Sequence, residues 1–203
     1  SGSGTTYTAT FTPSVTSNVL VPISVAANTF SDSFGNANTE SSQLTISINT
    51  SVPTISIASN DLELIIGDVA TLTFTLSESS ANFDISVIDV TGGTLSNFAG
   101  SGSSYTASFT ANTDTTSNAT INVAANTFTD AAGNNNSAAS QLTLTQDTVR
   151  PTVTISSNDN AMQLGDVATI TFTLSEASTT FTAADIQVTG GALSTFTGSS
   201  ITY

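Results

Sequence analysis

The most constraining feature of this sequence is a fixed offset. Tyr7, Tyr105 and Tyr203 stand 98 residues apart, and their surroundings repeat with them. Gly2-Ser-Gly-Thr-Thr-Tyr7-Thr-Ala-Thr-Phe11 returns as Gly100-Ser-Gly-Ser-Ser-Tyr105-Thr-Ala-Ser-Phe109 and begins again as Gly198-Ser-Ser-Ile-Thr-Tyr203. The same offset joins Val25-Ala-Ala-Asn-Thr-Phe30 to Val123–Phe128, Pro53 to Pro151, Gly67-Asp-Val-Ala to Gly165-Asp-Val-Ala, and Leu76-Ser-Glu78 to Leu174-Ser-Glu176. A period held along the whole chain means a tandem array of one structural unit. Residues 53–150 make a whole unit. Residues 1–52 read as the C-terminal half of the preceding unit, and 151–203 as the N-terminal half of the next. A unit of this length is near the common domain size and is expected to fold around its own core.

Inside the unit the hydrophobic pattern has period two. Ala70, Leu72, Phe74 and Leu76 alternate with Thr71, Thr73 and Thr75. That is a half-buried strand with threonine on the wet face. Tyr7, Ala9 and Phe11 do the same, as do Tyr105, Ala107 and Phe109. Further strands are expected at Ile55–Ile57, Ile85–Val90, Leu95–Ala99, Ala119–Ala125 and Gln141–Thr145. Asn60-Asp61, Gly67-Asp68 and Gly92-Gly93 read as turns, and the polar stretch Asn28–Asn38 as a long one. Some seven short strands at a spacing of about ten residues, with no useful helical periodicity, predict an all-β fold. The architecture expected is tandem immunoglobulin-like antiparallel β-sandwiches. The chain has no Cys and no Trp, so the Cys…Trp…Cys core of antibody domains is absent. Each half-unit leaves an apolar sheet face to be covered. A neighbouring repeat of a longer array, the other half of the same chain, or the half-unit of an identical chain would serve. Head-to-tail completion between identical chains does not close, and so would propagate into a filament.

Charge excludes several functions. The chain carries 15 acidic residues against one basic residue, Arg150, with no His, for a formal charge of −14. Nucleic acid and anionic membranes are repelled, because phosphate binding needs clustered Lys and Arg. Cations are attracted. No apolar run approaches the roughly 18 residues of a membrane-spanning helix. Without Cys there are no disulfides or thiolate metal sites. Without His, Cys or Lys, the common general base, the thiol nucleophile and Schiff-base chemistry are gone. Paired carboxylates could hydrolyse glycosides, but these acids recur in turns at repeat positions. No catalytic residue, no organic cofactor site and no enzyme activity are expected.

Several motifs together resemble a known family. They are Pro151-Thr-Val-Thr-Ile-Ser, Gly165-Asp-Val-Ala-Thr-Ile-Thr-Phe-Thr-Leu-Ser-Glu176, Asp185-Ile-Gln-Val-Thr-Gly-Gly191, Tyr105-Thr-Ala-Ser-Phe109 and Phe128-Thr-Asp-Ala-Ala-Gly-Asn134. They resemble the bacterial Ig-like repeats of giant surface adhesins, the stalk repeats of biofilm-associated and type I-secreted, RTX-type adhesins. The resemblance implies an extracellular rod at the bacterial cell surface that carries a distal binding domain. It also implies Ca²⁺ at the domain junctions as a structural stiffener, and neighbouring repeats as the partners.

Topology places the acids. Successive strands of such a sandwich run antiparallel, so connections alternate between two poles. Asp147, Glu176 and Asp185 are expected at the junction entering the third copy, to which Asp68 and Asp114 can contribute from the other pole. Asn49, Glu78, Asp89 and Asp130 are expected at the junction entering the complete copy. Ca²⁺ takes about six to eight oxygens, so two or three acids from separate loops plus backbone would be needed. Asp147 leads this set. Its counterpart in the earlier linker is the neutral Asn49, so the two junctions are expected to differ. The plainer reading of Asp130-Ala-Ala-Gly133-Asn134 and of Gly67-Asp68 is a turn with no ion. Glu78 and Glu176 read equally well as solvated acids ending a strand. The alternative function is a carbohydrate- or protein-binding module. Its one candidate contact is Phe34, in a turn where the complete copy has Ala132, and Phe34 is expected to be partly buried under its loop.

Overall fold

The computed structural model describes residues 2–203; Ser1, the first residue of the 1–52 half-unit, lies outside it. The chain forms two compact units, one ending at Thr148 and one spanning Val149–Tyr203, each described here by itself.

The first unit opens with the short paired strands β1 (Gly2–Ser3) and β2 (Thr6–Tyr7), then the antiparallel pair β3 (Asn18–Ile23) and β4 (Leu44–Asn49). The complete repeat follows: β5 (Ile55–Ser59), β6 (Glu63–Ile65), β7 (Val69–Ser80), a 3-10 turn at Ile85–Val87, β8 (Ile88–Thr91), β9 (Gly93–Ala111), β10 (Ala119–Val123) and β11 (Leu142–Asp147). One sheet runs β5-β7-β9 and the other β6-β11-β10-β8. The pairings are antiparallel except β6 with β11, which is parallel. This is the expected sandwich.

The period-two pattern of β7 does what it predicts. Ala70, Leu72, Phe74 and Leu76 are buried. From the other sheet Ala119, Ile121, Val123 and Leu144 are buried in the same core. Phe83 packs between the β7–β9 sheet and the loop after β10: its ring meets Tyr105 at 4.9 Å and Phe128 at 5.2 Å edge-on, and Phe74 at 5.8 Å. Edge-to-face contacts of this kind add to area burial. The Tyr105 hydroxyl is satisfied by donating to the Ser80 carbonyl at 3.1 Å.

Three expectations shift in detail. The strands read at Leu95–Ala99 and Tyr105–Phe109 are two arms of one run, β9, folded back on itself. Asn97 Nδ2 donates to Ser108 Oγ across the fold, and Phe98 stacks on Tyr105 at 5.6 Å. Gly100 stands at this fold with φ +137, where a Cβ would lie 2.3 Å from the Ser104 carbonyl oxygen. The stretch Ile85–Val90 begins as a 3-10 turn because Asp84 caps it, Oδ1 accepting the Ser86 N–H at 2.7 Å. Beyond Tyr7, the strand expected to Phe11 does not form; in the complete repeat the equivalent residues are held by β7. β6 was not legible, since its three residues bury only Leu64 and exist as a strand through pairing with β11.

The second unit has β12 (Val153–Ser157) paired with β13 (Ile170–Leu174) and a 3-10 turn at Ala183–Asp185. It reproduces the aromatic cluster: Phe181 meets Tyr203 at 5.2 Å, Phe196 stacks on Tyr203 at 5.5 Å, and the Tyr203 hydroxyl donates to the Ser178 carbonyl at 2.9 Å. The half-repeats keep local structure but not cover. Phe30 is 65% exposed where its counterpart Phe128 is 1% exposed, and Val153 is 48% exposed against 7% for Ile55.

These burials predict a contrast. Phe128→Ala should cost about 3–5 kcal/mol of stability in the complete repeat, as for a buried Phe truncated in a packed core. Phe30→Ala should cost under about 0.5 kcal/mol, as for an exposed site. Urea unfolding of the two variants checks this. Equal losses would show that the Phe30 face is covered in solution.

Candidate functional site

The site is the loop after β10 together with the linker that reaches it. Asp130 starts a tight turn: its Oδ1 accepts the N–H of Ala132 at 2.9 Å and of Asn134 at 2.8 Å. Asn134 Nδ2 donates to Asp130 Oδ2 at 2.9 Å, and Gly133 takes φ +90. This is the Asx-type turn that Asp and Gly favour. Asn136 holds the loop from inside and is 2% exposed. Its Oδ1 accepts the N–H of Thr127 at 2.8 Å and of Phe128 at 3.0 Å, while its Nδ2 donates to the carbonyls of Ala124 at 2.8 Å and Ser137 at 2.7 Å. The first repeat has the same network through Asn38. Asn38 and Asn136 were missed in the sequence, although they share the 98-residue offset.

The linker docks on this loop. Asn49, at the end of β4, donates through Nδ2 to Glu78 Oε2 and to Asp130 Oδ2, both at 3.1 Å. Its Oδ1 accepts the Ser51 N–H at 3.0 Å, which fixes the amide's orientation. Asn134 Nδ2 donates to the Asn49 carbonyl at 3.1 Å, and the Ser137 N–H donates to the Pro53 carbonyl at 2.9 Å. Thr50 ties the same linker back to its own repeat, its N–H donating to Ser17 O at 2.7 Å and its Oγ1 accepting the Ser17 N–H at 2.9 Å. Thr148 makes the matching staple to Thr115 at the end of the complete repeat.

The loop carboxylates are tuned by these bonds. Burial pushes the Asp130 carboxyl up, but hydrogen bonds from the Asn134 side chain and from the backbone of Asn134, Ala132 and Gly133 outweigh it and hold it below the usual range. Asp32, the equivalent in the first repeat, is exposed and is also lowered, chiefly by the Asn36 side chain. Asp84 is lowered by the Ser86 hydroxyl and N–H.

Of the acids singled out in the sequence, the fold brings Glu78 and Asp130 together, with Asn49 between them. Asp89 stands apart, exposed on β8 opposite Asn122. Asp68 Oδ2 accepts the Ile65 N–H at 2.9 Å, and Asp147 pairs in register with Ile65. Asp114 takes φ +54 in the turn beside Thr115. These three belong to the other end of the complete repeat. In the second unit Asp185 caps the 3-10 turn, accepting from the N–H and hydroxyl of Thr182, and Glu176 is half-buried just past β13. Among the described residues no group of three or more Asp, Glu, His or Cys is arranged to hold a metal ion. One oxygen of Glu78 and both oxygens of Asp130 already receive N–H groups. Phe34 is 91% exposed, not partly buried as expected. Ala132 at its position in the complete repeat is exposed too, so the site faces solvent in a finished domain.

One family profile, the bacterial Ig-like domain, matches residues 1–48, 49–145 and 147–203. No curated protein and no solved structure matches the chain.

The lowered Asp130 predicts acid sensitivity. Its pKa is lower folded than the roughly 3.9 of an unfolded Asp. Its contribution is therefore complete above about pH 4 and lost as pH falls through the folded value. Asp130→Asn should destabilise the complete repeat by about 1–3 kcal/mol at neutral pH, since it replaces the carboxylate that accepts four N–H bonds by an amide with a single acceptor oxygen. Melting curves between neutral and strongly acidic pH should show the wild-type and variant stabilities converging on acidification.

Proposed function

Because this chain belongs to the bacterial Ig-like domain family, we propose that it is a stretch of stalk in an extracellular bacterial adhesin, whose repeats hold a distal binding domain away from the cell. Domains of this family are generally non-enzymatic structural modules of the cell surface or extracellular space. No helix among the described residues is long and apolar enough to cross a membrane. The observation that carries the reading is the joint itself. Asn49 binds Glu78 and Asp130 of the following repeat, so one domain's last strand is fastened to the next domain's loops rather than tethered by a free linker. Such a joint transmits direction along an array. Neighbouring repeats, of the same chain or of identical chains, are the partners that cover the apolar faces of the half-repeats.

Ca²⁺ is proposed as the stiffener of joints that lack this amide. Asp147 and Glu176 occupy the repeat positions of Asn49 and Glu78, and the overall charge of −14 favours cation uptake. A second reading, a carbohydrate- or protein-binding module, is favoured by Phe34 alone, since an exposed aromatic can stack on a sugar face. A glycan-binding screen of the wild type and Phe34→Ala separates it from the stalk reading.

The stalk reading is tested by small-angle scattering and thermal melting in EDTA and in millimolar Ca²⁺. Ca²⁺ is expected to raise Tm and to lengthen and straighten the particle, and Asp147→Ala to reduce both effects. If neither Tm nor length responds, Ca²⁺ leaves the account, and the rod rests on packing and direct hydrogen bonds.

A further inference from the structure

The joint entering the complete repeat is closed by a neutral donor. Glu78 and Asp130 point carboxylates at one spot, where like charges repel. Asn49 places its NH₂ 3.1 Å from each. The amide cannot simply turn round, because its Oδ1 is held by the Ser51 N–H. The first repeat shows the same loop without such cover. Asp32 Oδ1 accepts the N–H of Phe34 at 3.0 Å and of Asn36 at 2.9 Å, and Asn36 Nδ2 donates to Asp32 Oδ2 at 2.9 Å. Asp32 is exposed where Asp130 is 6% exposed. The acidic loop is thus preformed, and what the linker adds is the amide.

We propose that Asn49 is a built-in clasp: its carboxamide bridges Glu78 and Asp130 in place of a cation, and keeps this joint stiff without divalent ions. The residue at this position in the next linker is Asp147, whose side chain has no N–H to donate. An Asn or Asp at one repeat position therefore selects an ion-independent or an ion-requiring joint. This deepens the stalk reading and rests on it for the value of stiffness, though not for the contact.

The chain has no native Cys, so spin labels can be placed pairwise in the full chain. Thr45→Cys on β4 with Thr106→Cys on β9 spans this joint, and both threonines are exposed. The wild-type distance distribution should be narrow, and the same in EDTA and in millimolar Ca²⁺. Asn49→Ala should broaden it in both buffers, with the open population rising at least about tenfold, the effect of losing even one hydrogen bond to a charged group. Asn49→Asp should broaden it in EDTA. A wild-type distribution that is broad in EDTA and narrows with Ca²⁺, or an Asn49→Ala distribution as narrow as wild type, overturns the proposal. Labels at Thr106→Cys and Thr143→Cys, both within the complete repeat, must stay narrow in every variant, which separates a loosened joint from a misfolded domain. A pair at Thr143→Cys and Thr154→Cys reads the next joint, so loss of the Ca²⁺ reading there is distinguishable from loss of the clasp here.

Discussion

The joint-facing end of the domain depends on the carboxamide of Asn136. Phe128 has to leave the end of β10 and turn its ring into the core against Phe83. A loop doing that strands its own backbone polar groups away from water, at a cost comparable to lost hydrogen bonds. Asn136 removes the cost by serving two N–H groups and two carbonyls at once. An Asn side chain is an acceptor and a double donor on one rigid plane, and no other residue of that length offers both. With the loop held from inside, Asp130 can turn outward and Phe128 inward.

The two kinds of interaction divide the labour. Stability lives in the sandwich, where β7 and β9 face β10 and β11 across an apolar core. The linker's hold on the repeat it enters lies in a few polar bonds. Those bonds are angle-dependent and anchored at both ends. Thr50 fixes the linker to the repeat it leaves, and Asn49 and the Pro53 carbonyl fix it to the repeat it enters. A hydrophobic contact in the same place would resist separation but permit sliding.

The sandwich was legible because alternation is a backbone property: Thr between apolar residues in β7 can only mean one face in and one out. The repeat period was equally plain, because it is written in identities and needs no geometry. Three things were not legible, each for a reason. β6 is too short to show a period and is made by its partner. The fold-back in β9 turns on Gly100 and Gly102, which read as a break between two strands. Which of the acids placed at its pole Asn49 would bind could not be read either. Placing Glu78, Asp89 and Asp130 at one pole was reasonable from topology, yet only Glu78 and Asp130 meet the linker, because β8 pairs Asp89 opposite Asn122 and it stands exposed. Asparagines that bind by side chain look like ordinary loop residues until the loop is built.

Charge gives the remaining step. With one Arg against 15 acidic residues, cationic side chains cannot neutralise most of the carboxylates gathered at joints. Only N–H donors and outside cations are left. Amides suit the first role because they donate to a carboxylate without adding charge to an already acidic surface, and the bond to an ionised acceptor is stronger than one between neutral groups. The abundance of Asn around residues 126–136 is then more than turn chemistry. It is the available substitute for Lys and Arg in a surface that has dispensed with them. The single-atom difference between Asn49 and Asp147, nitrogen against oxygen, falls at the linker position that, in the joint entering the complete repeat, sets an N–H donor between the Glu78 and Asp130 carboxylates.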